Sequence, residues 1–362
     1  MDLSMMPAAP PPPGMHSNFV NPVSQQPTLV AASAVVLVLT LGGIGARTYT
    51  KAAIMRQFDI TDGVLLLCGA LFVSFVSVQL LAGKYGQGRH LWDVTAADFS
   101  QALLILNIIE ILYGPTMFCA KYVVLRQIET VFFNHHRKGL AFNSVRILIW
   151  ANFFFYFAIS LSFILACVPR SKISNPLLPG MCIDTSASII ATSAINVVSD
   201  FTILITPITS IWSLQLPLKK KLAAGAVFAV GILANATSIV RLYFSIQLTR
   251  TTDISWAIIP VASWALGEFT GVILVACFPY FPRLYQHFRR TGQKPGYIIS
   301  NDGTGGGSRA ARQTGNKSTH WKLDDSFTGL RGEDSGNEDS GNEISGQGIR
   351  LDDSRSRAGT AL

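Results

Sequence analysis

Glu110, Asp200, Arg241 and Glu268 carry charge in stretches that are otherwise apolar. An ionisable group in hydrocarbon is costly, so each must find a partner, lose its charge or serve a ligand. Two chemistries fit these residue types. In the first, the acids attract a positive group and Arg241 keeps one of them ionised, making a ligand or cation site. In the second, Arg241 pairs with Asp200 or Glu268 and locks two helices. The remaining acids are then protonated or bonded to neighbours such as Asn107, Asn196 and Asn235. Lys121 also lies in an apolar stretch, near its expected inner end, where snorkelling explains it without a special role. Cys167 and Cys182 either bridge, closing a loop of about 15 residues, or stay as free thiols at helix ends. The sequence contains no phosphate-binding glycine loop, no zinc-type Cys/His spacing and no nucleophile elbow. His135 and His136 are adjacent in a basic loop and make a poor metal site. No catalytic residue, metal or cofactor is expected.

The elements that must hold these charges follow from composition. Of the 362 residues 49% are apolar and only 14% charged, against about a quarter charged in an ordinary soluble domain. The mean hydropathy is +0.37. Crossing the bilayer takes about 20 apolar residues. Segments of that length run approximately Thr28–Ala46, Asp62–Ala82, Phe99–Leu125, Val145–Val168, Ser186–Leu214, Leu222–Leu248 and Ile254–Tyr280. The fold class is therefore an all-α membrane protein, a seven-transmembrane helix bundle. At a rise of 1.5 Å per residue, Glu110, Asp200 and Glu268 lie roughly 17–21 Å below the outer end of their segments, and Arg241 about 10 Å. Similar depths allow them to surround a central cavity open to the outside.

Net charge of +8 does not signal nucleic acid, because the basic residues form short clusters between apolar segments. Arg47, Lys51 and Arg56 follow the first segment and Arg126, Arg137 and Lys138 the third. Lys219, Lys220 and Lys221 form a cytoplasmic basic loop after the fifth, and Arg283, Arg289 and Arg290 open the tail. The alternate loops are poorer in Lys and Arg. The rule that positive loops stay inside then sets the N-terminus outside and the C-terminus in the cytoplasm. The Pro-rich start lacks a basic n-region, so the first segment is expected to remain as a membrane helix rather than be cleaved. The expected organisation is an extracellular segment 1–27, a helical domain 28–285 and a disordered cytoplasmic tail 286–362, rich in Gly, Ser and acidic residues.

Several stretches together resemble a known family. Arg47-Thr-Tyr49 closes the first helix and Asp62 opens the second, with Lys121 late in the third. Cys167-Val-Pro169 and Gly180-Met-Cys-Ile-Asp184 flank an outer loop. Asn196-Val-Val-Ser-Asp200 precedes Pro207, Trp212 and the Lys219–Lys221 run. Gly231, Ser238-Ile-Val-Arg241, Trp264, Glu268 and Cys277-Phe-Pro279 complete the pattern. These residues resemble the fungal seven-helix proteins with a rhodopsin domain, related to Pth-eleven-type receptor-like proteins. Two features depart from that pattern: no Trp lies between the loop cysteines, and the third helix reads Lys121-Tyr-Val. Residues 1–27 hold no cysteine, so the outer CFEM module of some relatives is expected to be absent. A retinal pigment needs a Lys on the seventh helix, and Ile254–Tyr280 has none. The resemblance implies a plasma-membrane, receptor-like protein that senses an extracellular cue without retinal. Its expected partners are the lipid bilayer, an unknown extracellular ligand and a heterotrimeric G protein or another cytoplasmic signalling protein. Alternatives are a small-molecule or ion transporter, or a membrane organising protein.

Overall fold

A computed structural model of the chain describes residues 6–132, 140–175, 178–212 and 218–292. Helix α1 spans Gln26–Tyr49, with Pro27 in its first turn, and continues as a π-helical turn over Thr50–Met55. Arg56, in the left-handed region at φ 52°, stops it. The Asp62 carboxylate accepts the Asp59 N–H at 3.0 Å and so opens α2, Ile60–Lys84. A short 3₁₀ turn at Leu91–Asp93 leads to α3, Ala96–Phe132. Helix α4 is Leu140–Ile164, α5 Thr185–Trp212, α6 Leu218–Leu248 and α7 Ile254–Cys277. Among the described residues these supply seven spans long and apolar enough to cross a membrane. The chain is thus an all-α, seven-helix membrane protein.

Neighbours in sequence pack side by side from α1 to α7, and α1 closes against α7. Helix α3 also touches α5 and α7, so it lies inside the ring. Gly114 brings it against α4, where a Cβ would sit 3.0 Å from the Tyr156 carbonyl oxygen. Phe72, Phe75 and Tyr113 crowd the Phe269 ring at the centre of the core. The outward face of α4 shows the opposite of a soluble helix: Trp150, Phe154, Phe157 and Leu161 are exposed. Their spacing places them on one stripe, which lipid rather than protein covers.

Between α4 and α5, β1 (Cys167–Val168) pairs antiparallel with β2 (Met181–Cys182), and a disulfide joins Cys167 to Cys182. Its two ends are 15 positions apart. Replacing Cys182 by Ser should lower stability by about 3 kcal/mol on the loop-entropy account, measured as a fall in melting temperature that reductant reproduces in the wild type. A melt unmoved by both would deny the bridge any stabilising role.

Two expectations at the α8 end of the bundle change. Arg47 and Lys51, read as loop cations, lie within the helical run that starts at Gln26 and are 1% and 5% exposed. The seventh span also does not end in a tail at residue 285. A 3₁₀ turn at Phe278–Tyr280 leads into α8, Phe281–Gly292. Its Phe281, Leu284, Tyr285 and Phe288 recur at helical spacing opposite Arg283, which is why it is helical where low hydropathy suggested a tail. Phe288 stacks on Tyr49 at 6.4 Å. Residues 293–362, which hold the rest of the expected tail, lie outside the described residues, as do Arg137 and Lys138. Lys219, Lys220 and Lys221 start α6, and their side chains lie outside them too.

Candidate functional site: a buried charge network on the third helix

Asn196 and Asp200 are one turn apart on α5, and Ser238 and Arg241 three positions apart on α6, so each pair shares a face. Both faces meet Glu268 of α7 and Lys121 of α3 in a closed interior. Exposure is 1% for Lys121, 6% for Asp200, 5% for Arg241 and 0% for Asn196, Ser238 and Glu268. Lys121 Nζ lies 2.7 Å from Asp200 Oδ1 and donates to Asn196 Oδ1 at 2.9 Å. Tyr156 Oη of α4 donates to the same Asn196 oxygen. Asn196 Nδ2 turns the other way and donates to Asp200 Oδ2 and to Glu268 Oε1. Ser238 Oγ lies 2.6 Å from Asp200 Oδ2 and 2.7 Å from Glu268 Oε1. A hydroxyl has one proton, so Ser238 serves only one of these carboxylates at a time.

Arg241 closes the network on the side away from α8. Its Nε is 2.8 Å from Glu268 Oε2, a close ion pair without hydrogen-bond alignment, and its guanidinium covers the Tyr113 ring at 4.8 Å. Two cations and two carboxylates therefore compensate one another, as burial at this depth requires. The compensation leaves a remainder: Arg241 Nη2 and Asn235 Nδ2 are buried without a hydrogen-bond partner. Glu110, half-buried on α3, feels the Arg241 charge but makes no hydrogen bond or ion pair among the described residues. One turn nearer the start of α3, Asn107 accepts from Arg170 Nη2 at 3.3 Å. Arg170 follows the disulfide strand β1, so polar contacts on α3 reach from the loop between α4 and α5 to the interior.

The structure thus brings together Asp200, Arg241 and Glu268, with Glu110 beside them, and Arg241 pairs with Glu268. It also corrects the reading of Lys121. That residue does not snorkel; α3 continues to Phe132, so Lys121 stands inside the span and holds Asp200. Asp200 and Glu268 are enclosed rather than lining an open cavity, and Glu110 is half-buried. The sequence signal that marks Lys121 is Asp200 itself: a buried acid requires a buried base, and Arg241 could not serve both carboxylates.

A second cluster, which sequence reasoning missed, pins the opposite end. Arg47 reaches Asp62 of α2 at 3.1 Å, Gln127 of α3 at 2.8 Å and the Ala276 carbonyl of α7 at 2.7 Å. Its guanidinium also lies over the Tyr280 ring at 4.7 Å. Lys51 shares Asp62 at 2.7 Å and adds Asp59 at 2.7 Å. The signal was the Arg47/Asp62 pair flanking a short loop, which counting loop charges concealed. No group of three His, Cys, Asp or Glu side chains among the described residues could hold a metal ion.

Comparison with known proteins gives this geometry a family. The chain is 34% identical over 233 residues to a SAT4 family membrane protein of Emericella nidulans, covering 64% of this chain and 59% of the relative. It thus spans less than two thirds of that protein's length. It is 24% identical over 286 residues to Fugralins biosynthesis cluster protein 2 of Gibberella zeae, covering 77% of this chain and 70% of the other. Retinal, which the word rhodopsin brings to mind, does not fit: α7 has no Lys, and the buried Lys121 of α3 is committed to Asp200. The profile of the fungal rhodopsin domain matches residues 46–287, from the end of α1 through most of α8, and the chain belongs to that family of membrane proteins.

Proposed function

We propose that this chain is a receptor-like protein of the plasma membrane, N-terminus outside, that reads an extracellular cue and acts on a cytoplasmic signalling partner. It does so without catalysis or cofactor. The observation that carries the reading is the α3 network, in which Ser238 must choose between Asp200 and Glu268 while Arg241 keeps an unsatisfied donor. Such a network has more than one arrangement of nearly equal hydrogen bonding, which is what a bistable element needs. The Arg170–Asn107 contact supports an outer input to it. Orientation is supported by charge. Even without Arg47 and Lys51, the loops and helix ends on the α8 side carry Arg56, Arg126, Arg137, Lys138 and Lys219 to Lys221. The opposite side has Lys84, Arg89, Arg170, Lys172 and Arg250. The cytoplasmic partner is a heterotrimeric G protein or another signalling protein recruited to these basic loops.

A second reading, transport or organisation of a biosynthetic membrane assembly, is favoured by the biosynthesis-cluster name of the Gibberella zeae relative. A biotin ligase fused after Leu362 separates the two in the native host. Enrichment of G-protein subunits or cyclase components over a matched membrane control is the expected result. A neighbourhood of transporters and biosynthetic enzymes alone would replace the receptor reading with the second, and labelling confined to outer-face proteins would reverse the orientation.

A further inference from the structure

At the end of the bundle away from α8, three segments border an open-sided cleft of about 380 Å³ lined by Ala9, Pro10, Pro12, Leu91, Trp92, Thr252 and Asp253. Its N-terminal wall is fastened rather than draped. Ala8 N–H donates to the Val94 carbonyl at 2.8 Å, Ala96 N–H to the Met6 carbonyl at 2.9 Å, and Asn18 N–H to Asp93 Oδ1 at 2.8 Å. The Trp92 wall is backed by a stack. His90 lies parallel to Trp92 at 4.5 Å and to Trp256 at 4.1 Å, which fixes the indole plane. The Asp253 carboxylate is held at both oxygens, by Leu91 N–H at 2.9 Å and His90 Nδ1 at 2.6 Å. A carboxylate has about four acceptor sites, so these two contacts leave acceptor capacity on Asp253, which lines the cleft.

The lining therefore consists of alanine, proline and leucine surface, one immobilised indole, Thr252 as the only neutral polar side chain and one carboxylate, with no Lys or Arg. Such a set repels anions and gives a neutral polar molecule little to bond. It suits a cation with an apolar body, which gains from the indole face and from the carboxylate together. The geometry points to an extracellular binding site for small organic ammonium compounds in this cleft, with Trp92 and Asp253 as its recognition residues. This deepens the receptor reading and rests on its N-out orientation, because it names the chemical class of the cue.

The test uses the full chain in nanodiscs and benzyltrimethylammonium as the probe, followed by saturation-transfer NMR. Saturable binding is expected, with benzyl alcohol, which lacks the charge, failing to compete. Asp253→Asn should weaken binding about tenfold and Trp92→Leu several-fold. Trp92→Leu leaves both Asp253 contacts in place, so it keeps the test informative where D253N fails to fold. Absence of saturable binding to the wild type, competition by benzyl alcohol at equal concentration, or unchanged affinity in folded variants would each overturn the site. Binding is read on purified protein. Success here with no signalling partner in the proximity experiment would leave the cleft standing and remove the receptor reading.

Discussion

A Lys121→Met variant should be destabilised by about 3–5 kcal/mol, the usual result of removing one partner from a buried ion pair. Both partners are nearly inaccessible, so solvent screening offers little relief: Lys121 is 1% exposed and Asp200 6%. The substitution strands Asp200 Oδ1 and removes one of the two donors to Asn196 Oδ1, leaving Tyr156 Oη. For a domain of this size 3–5 kcal/mol corresponds to a fall in melting temperature on the order of 10 °C, read on purified protein by heating and size-exclusion recovery. The double variant Lys121→Met, Asp200→Asn should recover a large part of the loss, since Asn at 200 is left with no charge to compensate. A single variant that melts with the wild type would refute the pairing. An unrecovered double would place the cost in packing around Lys121 instead of charge.

The second large effect belongs to Arg47. Its guanidinium bonds to side chains of α2 and α3 and to the last turn of α7 while covering Tyr280. Arg47→Ala should cost about 3–5 kcal/mol through the abandoned Asp62 and the lost contacts, though Lys51 keeps Asp62 from being wholly unpaired. Arg47→Lys should recover only part of this. An ammonium keeps the charge but cannot present the planar fork that spans Asp62, Gln127 and the Ala276 carbonyl. Melting temperatures in the order wild type, Lys, Ala would support this account. Equality of Lys with wild type would show that charge alone matters there.

Much of the fold was legible because hydropathy over a membrane-length window depends on many residues at once. The segment expected at Asp62–Ala82 became Ile60–Lys84 and that at Ile254–Tyr280 became Ile254–Cys277 plus a 3₁₀ turn. Ends were less legible because charged residues extend helices where a partner waits. Helix α3 was expected to stop at Leu125, before Arg126 and Glu129, but those two bond to each other and the helix runs to Phe132. That error alone moved Lys121 from an inner end to the interior. Glu110, Asp200, Arg241 and Glu268 were readable as candidates because each is unusual within an apolar run. A pairing of Arg241 with Asp200 or Glu268 was readable too, but not which acid it takes, nor Lys121 as the partner of the other, since Ser238, Tyr113 and Tyr156 are ordinary in any membrane helix until α5, α6 and α7 are placed around them.

The division of the central ion pair between α3 and α5 also bears on how the chain is made. Asp200 follows Lys121 by 79 residues, and synthesis at about 5–20 residues per second puts roughly 4–16 s between them. During that interval α3 carries a cation costing about 2.5–3.5 kcal/mol at a helix centre on the insertion scale, with no acid yet available to meet it. Helix α3 is therefore best retained in a protein-lined insertion path until α5 arrives, and a nascent chain stopped after α4 should be recognised as unfinished by that exposed ammonium alone.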